Sequence, residues 1–247
     1  MKCGTTVLWH NLNKHPGINM CKNWGDPKIA STEIRFWNDG RPHRTWSKGI
    51  NWYKGLFSGE CCGEKSANYI EYRAAIQRMS QYIPNLKLIL CIRDPITRAY
   101  SEFQMHRSKR KNVEFSMEHA QQTNYLARGS YFTMIKNNVL KFFPKENLYI
   151  VIQERMKNDT DGELAKLCKF LGVAAHHMGV QKVASSEATD RNLDLNKDGK
   201  VASYKKWRTK YPPMSDKMCR ALIDFYIPHN RELFNFLGDE IPEWSKK

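Results

Sequence analysis

The sequence predicts an α/β fold: one domain over residues 1–247, with a central parallel sheet between two layers of helices, a three-layer αβα arrangement. Two short apolar runs, Leu86–Ile92 and Asn147–Ile152, are rich in branched residues, as is typical of strands buried on both faces. Segments with helical periodicity separate these runs, and strands that alternate with helices favour a parallel sheet. The length of 247 residues suits one large domain.

The helices follow from periodicity and from turn residues in chain order. The first begins after Gly4-Thr5-Thr6 and ends by His15-Pro16-Gly17. The polar stretch Ala184–Lys210 predicts an ordered loop or flap. The other helical segments are Trp46–Phe57, Tyr69–Ile83, Ile96–Met105, Ser130–Phe143, Glu163–Leu171 and Met218–Phe236.

The composition of the chain limits the classes of binding partner and the cellular compartment that we expect. A formal net charge of +15 predicts an anionic partner: a nucleic acid, a polyanionic sugar, a membrane surface or a multiply phosphorylated cofactor. No apolar run approaches the length of a membrane span, and no signal peptide is visible. The cysteines number seven and include no CxxC pair, which predicts reduced thiols in a cytoplasmic protein and no zinc site.

A first anion-binding motif lies at the amino terminus. In Lys2-Cys3-Gly4-Thr5-Thr6, glycine permits a tight turn, so that backbone amides point at an anion at the positive end of the following helix. The threonines add hydroxyl donors and Lys2 adds a charge. No GK[ST] follows at Walker spacing. The alternative is a plain helix cap by Thr5 or Thr6.

A second motif, RDPxxRxxS, follows the first apolar run. Proline is favourable in the first turn of a helix, so we expect the strand to end at Arg93 and a helix to begin near Pro95. Arg93 then lies at the carboxyl end of a strand, where open α/β sheets bind ligands, and Ser101 lies two turns into the helix. Arginine holds phosphate oxygens bidentately. The alternative is an ion pair of Asp94 with Arg93 or Arg98.

Together these motifs resemble the 5′-phosphosulfate loop and the 3′-phosphate motif of sulfotransferases that use PAPS (3′-phosphoadenosine-5′-phosphosulfate), above all the heparan-sulfate-type branch. The resemblance implies a P-loop-like fold. In that family a buried strand precedes the first loop, whereas only Met1 precedes Lys2 here. We expect either a truncated start or a shortened sheet edge.

The resemblance also implies roles for individual residues, and no metal. Thr32-Glu33-Ile34-Arg35-Phe36-Trp37 is similar to the family's KExHFF motif, which makes Glu33 the general base. Arg35 replaces the histidine of that motif, and pairing with Arg35 is the structural alternative for Glu33. Lys2 and Lys65 would stabilise charge on the leaving phosphate. The donor-binding positions are Lys2, Cys3, Gly4, Thr5, Thr6, Arg93, Ser101, Tyr131, Arg208 and Lys210.

The function that this resemblance implies is sulfuryl transfer from PAPS to a hydroxyl or amine of a small molecule, which leaves PAP as product. Similar enzymes occur in bacterial natural-product pathways, including those of cyanobacterial guanidinium toxins such as saxitoxin. A heparan-type glycan is the alternative acceptor. A basic nucleic-acid-binding protein and an ATP-dependent kinase leave the two motifs unexplained, so we expect no specific nucleic acid and no membrane as partners. Oligomeric state is not readable from the sequence.

Overall fold

The computed structural model describes residues 2–21, 33–38, 45–107, 113–177 and 212–244. The described helices are α1 (Thr5–Leu12), α2 (Gly49–Lys54), α3 (Arg73–Tyr82), α4 (Pro95–Arg107), α5 (Met117–Gln122), α6 (Tyr131–Met134), α7 (Gln153–Asn158), α8 (Thr160–Leu171) and α9 (Asp216–Leu237). Helix α6 continues as a π-helical stretch over Ile135–Val139. The described strands are β1 (Asn19–Met20), β2 (Cys62–Gly63), β3 (Leu88–Ile92) and β4 (Leu148–Ile152).

All described strand pairs are parallel. Strand β3 pairs with β4 from Leu88 opposite Leu148 to Ile92 opposite Ile152. Strands β1 and β2 form a second, shorter pair. The two apolar runs are therefore strands, as predicted, and both end at one edge of the sheet. Their arrangement in a single three-layer domain spanning residues 1–247 stays a prediction.

Helix α1 reaches the core through one apolar face. Leu8 and Leu12 are buried against Val151 of β4 and Leu164 and Leu167 of α8. Burial of a leucine side chain contributes about 1.5–3 kcal/mol. Arg93, just after the end of β3, donates to the carbonyl of Lys2, so the loop before α1 lies at the carboxyl edge of the sheet.

Helix α4 packs against α9. Ile96, Ala99 and Phe103 on α4 share a buried cluster with Leu222 and Tyr226 on α9. The helix begins at Pro95 directly after β3 ends at Ile92, as the RDP sequence predicts. Both anion-binding motifs are thus attached to rigid, packed elements.

Two further findings concern the part of the chain that the structure describes. No helix in it is both long enough and apolar enough to cross a membrane. All seven cysteines are free thiols, and Cys91 and Cys168 are buried.

Candidate active site

The phosphate loop has the backbone that its glycine predicts. Gly4 adopts φ 78° and is the residue before the first turn of α1, where its carbonyl accepts the amides of Val7 and Leu8 at 3.1 Å. A Cβ at this position would lie 2.9 Å from Nε2 of Gln153. The left-handed φ strains any other residue, and a Cβ would also require the Gln153 side chain to move, so both features favour glycine at position 4.

The start of α1 can receive an anion. An α-helix leaves its first amides without partners inside the helix, and its dipole favours negative charge at that end. Lys2 also has a positive φ, 66°, which bends the chain just before Gly4. The alternative interpretation was a helix cap by Thr5 or Thr6, but the residue that caps α1 is Gly4, and no side-chain cap hydrogen bond is formed there.

Lys65 connects this loop to Glu33. It follows β2, and only 7% of its side chain is exposed. Its Nζ donates to Oγ1 of Thr6 at 3.0 Å and lies 3.6 Å from Oε1 of Glu33. The structure therefore brings together three residues that the sequence assigned to one site from three separate segments.

Glu33 also pairs with Arg35, as the structural alternative anticipated. Oε2 of Glu33 accepts from Nε of Arg35 at 3.1 Å and from Nη2 at 2.9 Å. Glu33 is 12% exposed and Arg35 is 35% exposed. The carboxylate thus lies between two cations, with Oε2 facing Arg35 and Oε1 facing Lys65. This geometry is compatible with a structural pair and with a base positioned on both sides.

The second motif touches the first. Nη1 of Arg93 donates to the carbonyl oxygen of Lys2 at 3.4 Å, and Nε donates to Oγ1 of Thr97 at 3.1 Å. The hydroxyl of Tyr131 donates to the carbonyl of Arg93 at 2.7 Å and lies 3.9 Å from Sγ of Cys3. The two motifs are therefore neighbours on one edge of the sheet.

Ser101 lies on α4 with only 8% of its surface exposed. Its Oγ has no hydrogen-bond partner among the described residues. Buried hydroxyls in proteins are nearly always hydrogen-bonded, so an unpartnered one calls for a water or a ligand. A phosphate oxygen would satisfy it.

The buried ion pair of Arg98 on α4 is with Glu102 and not with Asp94. Arg98 pairs with Glu102 at 2.6 Å, with both side chains almost fully buried, and it also donates to the carbonyl of Tyr125. Arg128 joins the same carboxylate at 2.5 Å and reaches Glu71 at 2.9 Å. The Asp94 carboxylate accepts the amides of Ile96 and Thr97 and so caps α4.

Sequence reasoning did not identify the surroundings of Glu64. Its carboxylate accepts the hydroxyls of Tyr53 at 3.0 Å, Tyr69 at 2.8 Å and Ser66 at 2.8 Å. Burial raises the pKa of Glu64 to about 6, and the nearby charge of Glu33 adds to this, while the three hydrogen bonds oppose it. Glu64 and Lys65 line one cavity, of about 780 Å³, together with Cys3, Thr5 and Tyr131.

The remaining predicted donor residues, Arg208 and Lys210, lie outside the described residues. Within the described ranges, no group of three or more His, Cys, Asp or Glu side chains is placed to hold a metal ion. Gln153 was also missed, since nothing in the sequence around a lone glutamine indicates that it packs beneath Gly4.

Comparison with known families agrees with this geometry. The sulfotransferase domain matches residues 1–219, which is most of the 247-residue chain. The chain belongs to the sulfotransferase domain family. This confirms the predicted family and the predicted enzyme class.

One curated relative of this sulfotransferase is the human bifunctional heparan sulfate N-deacetylase/N-sulfotransferase 3. The two are 30% identical over 271 residues, an alignment that covers 100% of this chain and 30% of the relative. The chain thus spans about a third of the length of the curated relatives it matches first.

Solved structures show the same fold. A sulfotransferase from Alicyclobacillus acidocaldarius aligns with a TM-score of 0.69 at 21% identity, covering 99% of this chain and 95% of that one. A mouse sulfotransferase complexed with PAP aligns with a TM-score of 0.54 at 18% identity, covering 93% of this chain and 81% of that one. At these identities the likeness concerns the fold alone.

Proposed function

We propose that this sulfotransferase transfers a sulfuryl group from PAPS to a hydroxyl or amine of a small-molecule acceptor, with Glu33 as general base. The observation that carries the proposal is the contact between the two anion-binding motifs: Arg93 donates to the carbonyl of Lys2, and Tyr131 touches Arg93 and Cys3. Two adjacent cationic pockets suit the two ends of one adenosine bisphosphate.

The residues present fit that donor. Gly4 has a left-handed φ directly before α1, so the backbone amides at the helix start can face a phosphate, as a phosphate-binding loop requires. The unpartnered hydroxyl of Ser101 and the guanidinium of Arg93 suit a 3′-phosphate. A relative of the same fold is described as complexed with PAP. Arg208 and Lys210 complete the proposed donor-binding set.

In-line sulfuryl transfer requires a base for the acceptor and cations for the leaving phosphate. The bound donor would supply an electrophilic sulfur. Glu33 takes the proton from the acceptor as the bond to sulfur forms. Lys65 and Lys2 stabilise the charge that develops as the bond from sulfur to the 5′-phosphate oxygen breaks. Lys65 is already in place, because it bridges Glu33 and Thr6.

The acceptor class is a proposal from charge. Glu33 lies 3.6 Å from Lys65, and Glu64 lines the same cavity as Lys65 and Cys3, so two carboxyl groups lie near the donor loop. Carboxylates favour a cationic acceptor, such as an amine or a guanidinium natural product, over a polyanion. The heparan-type glycan remains the second candidate, because the relative with 30% identity is described as a heparan sulfate N-sulfotransferase.

Glu33→Gln tests the proposal. We expect PAP affinity in calorimetry to stay at the wild-type value, while transfer from radiolabelled PAPS falls by about 10²–10⁴-fold, because a general base contributes that much. Suitable acceptors are agmatine for a guanidinium compound and de-N-sulfated heparan sulfate for a glycan.

Glu146→Gln, the same change at an exposed position, is the matched control and keeps full activity. Wild-type transfer by Glu33→Gln would remove Glu33 from the mechanism. A wild-type chain that fails to bind PAP would remove the donor.

A further inference from the structure

Glu64 is a buried carboxyl group surrounded by hydroxyl donors. Tyr53 donates from α2, Tyr69 donates from the 3₁₀ turn Tyr69–Glu71, and Ser66 donates from the same segment as Glu64. Burial raises the pKa of both tyrosines well above the usual value, so both hydroxyls remain donors at neutral pH. Burying a carboxylate costs free energy, and the three hydroxyl donors offset part of that cost.

Ser66 connects Glu64 to the segment that contains the proposed base, Glu33, through two hydrogen bonds. Its Oγ accepts the backbone amide of Arg35 at 3.0 Å, while its own hydrogen goes to Glu64 at 2.8 Å. Arg35 has φ 56°, a left-handed conformation that costs a non-glycine residue roughly 1–2 kcal/mol. The bond from Ser66 therefore holds a strained position.

The strained turn decides where Glu33 lies. Two nitrogen atoms of Arg35 donate hydrogen bonds to Oε2 of Glu33, and Nζ of Lys65 lies 3.6 Å from Oε1. A shift of the Arg35 backbone would move its guanidinium and, with it, the carboxylate. The connected contacts run from Glu64 through Ser66 and Arg35 to Glu33.

We infer that Glu64 is a positioning residue: its carboxylate holds the Ser66 hydroxyl, which fixes the Arg35 backbone and so aims Glu33 at the acceptor. This inference rests on the proposed function, since it needs Glu33 to act as the base. Glu64 itself touches neither the donor loop nor the reacting atoms.

Turnover should depend on the ionisation state of Glu64. The groups that face Glu64 are the two tyrosines, Glu33 across the turn, and Lys65 and Ser66 on its own segment. A protonated carboxyl accepts the Ser66 hydroxyl less strongly than a carboxylate does. With a pKa of about 6, Glu64 is ionised above that pH and neutral below it. Turnover should therefore fall as pH drops through 6.

Glu64→Gln keeps the shape and removes the charge. We expect kcat at pH 7.5 to fall about 10- to 100-fold, because small misplacements of a catalytic group have costs of this size. The KM for PAPS and the affinity for PAP should not change. The acid limb near pH 6 should move to lower pH.

Two further variants separate positioning from simple stability. Ser66→Ala cuts the connection and should lower kcat in the same way, while Ser66→Thr keeps the hydroxyl and should restore it. Tyr69→Phe removes a hydrogen bond that lowers the pKa of Glu64, so the acid limb should move to higher pH. A role in folding alone would move none of these profiles.

Wild-type kcat with an unchanged acid limb in Glu64→Gln would overturn the inference. If that variant does not fold, wild-type kcat in Ser66→Ala would overturn it equally. The failure of the proposed function looks different: Glu33→Gln would then retain transfer, whatever Glu64→Gln does.

Discussion

The two anion-binding motifs differ in the groups that they offer to an anion: the first offers mainly backbone amides and the second offers side chains. The loop at Lys2–Thr6 uses backbone: two residues with positive φ and the amides at the start of α1. The second motif uses side chains: Arg93, which follows the end of β3, and Ser101, which lies on α4. A backbone site needs space and dihedral freedom, whereas a side-chain site needs a helix that cannot move.

The two motifs also differ in the contacts that hold them in place. The buried pair of Arg98 and Glu102 lies within α4, and it connects the helix to its surroundings because Arg98 donates to the Tyr125 carbonyl and Glu102 accepts from Arg128. The loop contacts residues of the proposed site, including Lys65 at Thr6 and Arg93 at the Lys2 carbonyl. We therefore expect damage to α4 to reduce folding stability, and damage to the loop to reduce donor binding.

Glu102→Gln should give the largest effect on stability. Removing the charge leaves the buried Arg98 without its counter-ion, and breaking a buried pair costs about 3–5 kcal/mol. Urea denaturation gives the free energy of unfolding directly. Asp239→Asn makes the same change in the exposed pair with Arg155 and should cost less than about 1 kcal/mol. Equal losses in both variants would refute the anchoring role.

Gly4→Ala should show the opposite pattern. Its Cβ would lie 2.9 Å from Nε2 of Gln153, so either the loop or the buried Gln153 side chain must shift, and we expect PAP affinity to fall about tenfold, the equivalent of roughly 1.4 kcal/mol. Gly49→Ala is the control, since Gly49 has φ 81° and nothing within 4 Å. Both variants carry the backbone cost of roughly 1–2 kcal/mol. Unchanged PAP affinity in Gly4→Ala would place the phosphate elsewhere.

The sequence predicts those features that depend on neighbours along the chain. The runs at Leu86–Ile92 and Asn147–Ile152 are strands because branched apolar residues fill them, and α4 begins at Pro95 because proline fits a first helical turn. The loop before α1 could also be predicted, because a glycine that directly precedes a helix is a local signal.

Other features depend on residues that meet only in the folded chain. Strands β1 and β2 have two residues each and carry no apolar pattern, so only their pairing defines them. Arg35 has a positive φ, and its backbone amide donates to the hydroxyl of Ser66, which lies 31 residues further along the chain. The buried environment of Glu64 likewise needs tyrosines from two other elements.

Calorimetric titration with PAP, 5′-AMP and 3′-AMP tests most directly whether both motifs hold one nucleotide. If they do, PAP binds tightest, and each missing phosphate weakens binding about 10- to 100-fold, since each loses charge-assisted hydrogen bonds of about 1.5–3 kcal/mol. Arg93→Ala should abolish the advantage of PAP over 5′-AMP and leave 5′-AMP binding intact. Equal affinity of the wild-type chain for PAP and 5′-AMP would show that the pocket at Arg93 does not share the nucleotide.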